Sequence, residues 1–300
     1  MTKYRSRFRP SPVHGIVLQK RDIALIIVLF ICRCMTTSMI QQTFFTRGGI
    51  SRCRKRLRLL YDWGFVERHF LPTSPFGSEA VHTVGKAGML YALKWYADIG
   101  VEVETDDART QMNLPSLSLL NHALNVARLY LACRKHLQGE SGIRMDRWLF
   151  ERLVYAQFDV RVASADTGRP SAWKTVLFKP DAALQVSAPA GSIRTIFIEA
   201  DCGTSTSRQI ATKLESQQLF LSSGQFGTLY GEERFATILA TTGSMSGRVL
   251  NLATIAKRVG AHFVLLTTID DFIKTGPLAC DYLRPSGGRV MLADALLGDA

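Results

Sequence analysis

Apolar and polar positions follow two rhythms along this 300-residue chain. In the first third they recur at helical spacing. Arg21 to Cys34 is almost continuously apolar and predicts a buried helix. Thr36, Thr37 and Ser38 supply caps for a short helix from Met39 to Phe45. Gly48 and Gly49 then break the chain, and Ser51 caps a third helix, Arg52 to Trp63, which Gly64 ends. Within it Cys53, Leu57, Leu60 and Tyr61 fall at i, i+4, i+7 and i+8, a core-facing stripe. The rhythm then changes to alternation. Phe65–Phe70 and Val81–Val84 read as two strands around a loop containing Pro72, Pro75 and Gly77. Three helices followed by a β-hairpin predict a winged helix-turn-helix, with a further helix from Lys86 to Ile99 behind the wing.

The second half alternates helix and strand. Leu114–Leu137 predicts a long amphipathic helix, and Met145–Tyr155 a second one leading into a sheet. Strands are expected at Phe158–Ala163, Lys174–Val186 and Arg194–Asp201, then a helix at Thr206–Leu221. A strand at Arg234–Thr241, a helix at Ser246–Gly260 and a strand at His262–Thr268 follow, and the chain beyond Asp270 reads as irregular. This order predicts an α/β (α+β) mixed sheet with helices on both faces. Between the halves Gly100–Asn113 carries Glu102, Glu104, Asp106 and Asp107 and reads as an acidic linker. The expected layout is therefore a flexible basic arm over 1–15, a winged-helix domain over 16–99, a linker over 100–113 and an α/β domain over 114–300.

Charge sharpens this division. The net charge is +12, and residues 1–70 hold 14 Lys/Arg against 3 Asp/Glu. The remaining residues are close to neutral. A basic module joined to a neutral one predicts a polyanion contact made by the N-terminal part, with double-stranded DNA as the expected partner. The guanidinium and ammonium groups suited to it are Arg52, Arg54, Lys55, Arg56 and Arg58 on the third helix and Arg68 on the wing, able to grip phosphates or guanine edges. The six cysteines are scattered without zinc-ligand spacing and read as reduced thiols of a cytoplasmic protein. The apolar run Ile23–Cys32 is half the roughly 20 residues needed to cross a bilayer, so no membrane role is expected.

The chemistry concentrates between Thr195 and Lys213. An apolar run short enough for a buried strand ends in Glu199 and Asp201, which share one face with Cα atoms about 6.5 Å apart. Two ionised carboxylates at that separation repel by roughly 2.5 kcal/mol at an effective dielectric near 20. Such a pair calls for a cation, a proton or a basic partner. A turn at Gly203 and a Thr/Ser cluster then cap a helix that carries Lys213. The competing reading makes the acids mere partners of the neighbouring helix dipole.

These residues, taken in order, carry a resemblance. The chain resembles the replication-relaxation family of plasmid and mobile-element proteins through Leu57-Arg-Leu-Leu-Tyr-Asp-Trp-Gly-Phe-Val-Glu-Arg68, His122 in Leu-Leu-Asn-His-Ala-Leu, Lys179-Pro-Asp-Ala182, and Ile198-Glu-Ala-Asp-Cys-Gly-Thr204 followed by Lys213-Leu214. The second half is also similar to the PD-(D/E)XK nuclease fold. That similarity implies that Asp181 matches the first acid and Glu199 the second. It implies a lysine two residues after the second acid, where this chain has Asp201, so that Lys213 becomes the relocated cation. It also implies Mg²⁺ on Asp181 and Glu199, with Asp201 adding a ligand or holding Lys213, and Glu151 as an additional helical acid. Mg²⁺ suits oxygen ligands and retains several waters.

Two functions follow from this. One is a DNA-binding protein of a plasmid or integrated mobile element, acting in replication or transfer, with a Mg²⁺-dependent phosphodiester-cleaving domain. The other is a non-enzymatic transcriptional or replication regulator whose nuclease-like domain mediates homodimerisation or recruits other replication or transfer proteins.

Overall fold

The computed structural model describes residues 15–45, 49–70, 79–137, 142–163, 170–187 and 193–297. The expected arm therefore lies outside the described residues except at Gly15, as does the loop with Pro72, Pro75 and Gly77. The chain divides into two compact units, Met1–Ala127 and Arg128–Ala300.

The first unit opens with α1 (Lys20–Cys32), β1 (Met35–Thr36), α2 (Thr37–Phe44) and α3 (Gly49–Asp62). Strands β2 (Val66–His69) and β3 (Val81–Val84) follow, then α4 (Lys86–Asp98) and α5 (Thr105–Met112). The strands form a three-stranded antiparallel sheet in the order β1-β3-β2. The apolar run of α1 is buried, with Leu25, Ile26, Leu29 and Phe30 fully enclosed. The stripe on α3 packs as its spacing demands, Cys53, Leu57, Leu60 and Tyr61 all being buried. The stretch expected to be an acidic linker differs. Its acids Asp106 and Asp107 occupy the first turn of α5, where they favour the helix dipole. Gln111, at the other end of that helix, is buried and donates from Nε2 to the Phe30 and Ile31 carbonyls at 2.8 and 3.0 Å. It thereby adds a side-chain donor to carbonyls at the end of α1, where Phe30 already accepts the Arg33 N–H.

Helix α6 (Leu117–His136) begins in the first unit and ends in the second. The second unit continues with β4 (Arg144–Phe150), α7 (Glu151–Val154), β5 (Ala156–Ala163), β6 (Pro170–Phe178), β7 (Ala182–Ser187) and β8 (Ile193–Asp201). Then come α8 (Ser207–Ser222), α9 (Gln225–Tyr230), β9 (Ala236–Thr241), α10 (Leu250–Arg258), β10 (Val264–Thr268), α11 (Ile269–Ala279), β11 (Tyr282–Leu283), β12 (Arg289–Val290) and α12 (Leu292–Leu297). A wide π-type turn, Met245–Val249, leads into α10.

The main sheet has seven strands in the order β12-β11-β10-β9-β8-β7-β4, parallel from β8 through β10 and antiparallel elsewhere. Helices cover both faces. Leu239 packs with Ile210 and Leu214 of α8 and with Leu252 and Ala253 of α10. On the other face Tyr130 of α6 meets Trp148 of β4 edge-on at 5.3 Å.

Three expectations are corrected here. Met145–Tyr155 is mostly strand: β4 pairs with β7 from Arg144↔Ser187 to Phe150↔Ala182, and only Glu151–Val154 is helical. The expected strand Lys174–Val186 is two strands in two sheets, because Pro180 and Asp181 interrupt it. Proline offers no N–H to continue a ladder. The chain after Asp270 is also more ordered than expected, since α11 runs to Ala279 with a kink at Gly276 and Pro277.

The β5–β6 ribbon is anchored by aromatics. Phe178, at the end of β6, stacks on Phe220 of α8 at 3.9 Å and meets Phe197 of β8 at 4.8 Å. Each such ring, fully buried, contributes roughly 1.5–3 kcal/mol. This packing fixes the segment Lys179-Pro180-Asp181 beside the end of β8.

Candidate functional site

Asp181 lies at the entrance to β7. The register Ala182↔Ile198 continues one residue back to set Asp181 across from Glu199. The Asp181 backbone N–H donates to the Ile198 carbonyl, and its Oδ2 accepts from the Ala200 N–H at 2.8 Å. Lys213, two turns into α8, completes the group. Its ammonium donates to Asp181 Oδ1 at 3.0 Å and pairs with Glu199 Oε2. Asp181, Glu199 and Lys213, the three residues that the sequence singles out for catalysis, thus lie together.

Glu199 is buried and Asp181 partly so, whereas the Lys213 side chain keeps about a third of its surface exposed (34%). Burial would push the Lys213 ammonium down in pKa, but Asp181 and then Glu199 outweigh it and hold the pKa above its ordinary value. The three groups sum to one negative charge, and the acids present hard oxygen donors. Such oxygens are of the type Mg²⁺ takes, through one or two carboxylates with retained waters, and here the Lys213 ammonium lies against both of them. Among the described residues no cluster of three or more His, Cys, Asp or Glu side chains could hold a metal.

Asp201 departs from the expectation that it adds a metal ligand or holds Lys213. Its Oδ2 accepts from Thr241 Oγ1 and from Arg248 Nε, both at 2.8 Å. Its Oδ1 accepts from Arg248 Nη2 at 3.0 Å and from the Gly203 N–H at 3.3 Å. The carboxylate is thus occupied by a bidentate arginine brought in by the turn before α10. Burial alone would raise the Asp201 pKa, but hydrogen bonds from Arg248 and Thr241 prevail and hold it low. Gly243 makes room for the arginine, because a Cβ there would lie 2.3 Å from Arg248 Cβ. Glu151 is likewise engaged, pairing with Lys179 at 2.9 Å.

Sequence reasoning missed two buried polar groups beside Glu199. Gln217, on α8, donates from Nε2 to Glu199 Oε1 at 2.6 Å. Thr237, on β9, donates its hydroxyl to Gln217 Oε1 at 2.9 Å. The available signal was spacing, since Gln217 is four residues after Lys213 and shares its helix face.

The basic residues of α3 separate into two groups. Arg52, Arg54 and Lys55 are exposed. Arg56 instead donates from Nε to Asp22 Oδ1 at 3.0 Å and from Nη2 to the Val17 carbonyl at 2.7 Å. Arg58 pairs with buried Asp62 at 2.9 Å, and Arg68 lies over the Tyr61 and Phe70 rings at 4.6 and 5.2 Å. Of the six cations expected at DNA, three thus brace the fold, since each found an acid or ring to neutralise or stack against. All six cysteines are free, and no described helix is long and apolar enough to cross a membrane.

Residues 29–231, about two thirds of the chain, match the family model described as Replication-relaxation. No curated protein and no solved structure matches.

Proposed function

Starting from the fact that the chain belongs to the replication-relaxation family, we propose that it binds double-stranded DNA of a plasmid or mobile element and cuts or nicks it during replication or transfer. The first unit acts as a winged helix. Helices α1 to α3, the β1-β3-β2 sheet and the exposed Arg52, Arg54 and Lys55 on α3 support that reading. The phosphate contacts set affinity, and base contacts from the same helix set sequence preference.

The observation that carries the enzymatic part is the convergence of Asp181, Glu199 and Lys213 on one face of the sheet. Asp181 and Glu199 are the residues that would hold Mg²⁺. The ion, when bound, supplies polarisation of the scissile phosphodiester and a more acidic attacking water. The Ala200 N–H keeps the Asp181 carboxylate oriented. Lys213 stands as a cation beside both acids. Its ammonium, a third exposed, is the group that would stabilise negative charge growing on the phosphate oxygens.

A second reading rests on a different observation. Lys213 already pairs with both acids, and Asp201 is locked to Arg248. On that reading the second unit is a nuclease-like scaffold of a non-enzymatic regulator, serving homodimerisation or partner binding. The separating experiment is nicking of supercoiled plasmid with Mg²⁺, comparing wild type with Glu199→Ala. Nicking by the wild type at least ~100-fold faster than by the variant is expected, the lower end of the loss when one group stabilising transition-state charge is removed. Equal rates, or none from either protein, would leave the scaffold reading standing.

A further inference from the structure

Glu199 is held at both carboxylate oxygens by one helix. Lys213 takes Oε2, and Gln217, one turn later on α8, takes Oε1. Gln217 is itself fixed, because its Oε1 accepts the Thr237 hydroxyl from the adjacent strand. Gln217 and Thr237 are 1% and 0% exposed, so neither exchanges this bond with bulk water. The register sets Thr237 across from Phe197, two residues before Glu199 on the same strand face. Thr237, Gln217, Glu199, Lys213 and Asp181 therefore form one continuous polar chain through an otherwise apolar layer.

The chemistry of the middle position is restrictive. It must donate to an anionic carboxylate on one side and accept a hydroxyl proton on the other, and an amide does both at once. A carboxylate in its place would face Glu199 with like charge unless one of the two took up a proton. A thioether would leave Glu199 Oε1 buried without that donor, the loss of a bond to a charged group.

We propose that Gln217 is a positioning residue for the cation-holding carboxylate. It fixes the Glu199 rotamer with Oε2 directed at Lys213, and Thr237 sets the orientation of the Gln217 amide. This rests on the reading of Asp181 and Glu199 as a divalent-cation centre. Outer partners of metal ligands typically govern affinity by about 10–100-fold, which is the size expected here.

The test is calorimetric titration of the full chain with Mn²⁺, with thermal melting alongside. Wild type is compared with Glu199→Ala, Gln217→Met and Thr237→Val. The expected result is saturable Mn²⁺ binding by wild type, none by Glu199→Ala, and a roughly 10–100-fold weaker constant for Gln217→Met with a cooperative melt retained. Thr237→Val, nearly the same shape, should weaken binding by a smaller factor, and it decides the matter if Gln217→Met fails to fold. Wild-type affinity in every folded variant of the pair would overturn the positioning role while leaving the centre intact. Absence of Mn²⁺ binding by wild type would remove the centre and the positioning role together.

Discussion

Arg52 and Arg56 stand one helical turn apart on α3, and sequence gives no reason to treat them differently. Arg52 faces solvent, while Arg56 closes on Asp22, a carboxylate with no exposed surface. Asp22 also accepts the Gln19 N–H at 2.7 Å, so this one acid both caps α1 and joins it to α3. Removing one partner of a buried pair strands the other charge, which typically costs about 3–5 kcal/mol. Arg56→Ala is therefore expected to lower the stability of the first unit by that order in urea unfolding, whereas Arg52→Ala should change it by less than about 0.5 kcal/mol. Similar losses for both variants would mean that the Asp22 pair contributes little. The pairing was invisible in the sequence because its members lie 34 residues apart. The same holds for Asp201 and Arg248, 47 residues apart. Glu199 was legible from the strand end that carries it and Lys213 from its capped helix, whereas Asp181, 32 residues before Lys213, came from the resemblance to the nuclease fold.

Elements were legible where burial enforces a period and obscure where a distant partner decides. The α3 stripe and the apolar core of β8 follow directly from their residue patterns. Strand β4 does not, because Trp148, Leu149 and Phe150 suit a helix face as well as a strand, and its partner β7 comes much later in the chain. Helix α5 looked like a spacer because only Ala108 and Gln111 of its residues are buried. One joint between elements makes a pH-dependent prediction. His82 of β3 is buried, and its Nε2 lies 3.1 Å from the Thr37 hydroxyl at the start of α2. Burial, followed by the charges of Arg68 and His69, pushes its pKa down to about 4 from 6.5. Between these values the unfolded chain takes up a proton that the folded chain refuses. Stability should therefore fall as pH drops from about 6.5 towards 4, by roughly 1.4 kcal/mol per pH unit from this residue, and stay level above 6.5. Urea unfolding at about pH 7 and about pH 5 should show that slope in wild type and a shallower one in His82→Gln. Equal slopes would mean that His82 is protonated in the fold.

For the whole molecule, the uneven charge is the property with the widest reach. Fourteen Lys/Arg lie in residues 1–70, yet structural pairing removes Arg56, Arg58 and Arg68 from the set open to a phosphate. Replacing Arg52, Arg54 and Lys55 together with Ala should reduce the slope of log K against log salt for DNA by about 3, at about 0.9 for each phosphate no longer neutralised. An unchanged slope in a filter-binding series would show that α3 does not lie on the phosphates. The uneven distribution of charge along the chain was legible from composition. Which cations are available was not, because that depends on where the acids and rings fold to meet them.

The Asp201–Arg248 pair also restricts what either position can hold. A lysine at position 201 would face the Arg248 guanidinium in a buried space shaped by Gly243. An alanine at 248 alone would instead strand the Asp201 carboxylate. Each single change leaves a buried charge without its partner, so the two positions are coupled: similar sequences are expected to keep the acid and the arginine jointly or to lack both, and a lysine at 201 should not coexist with an arginine at 248.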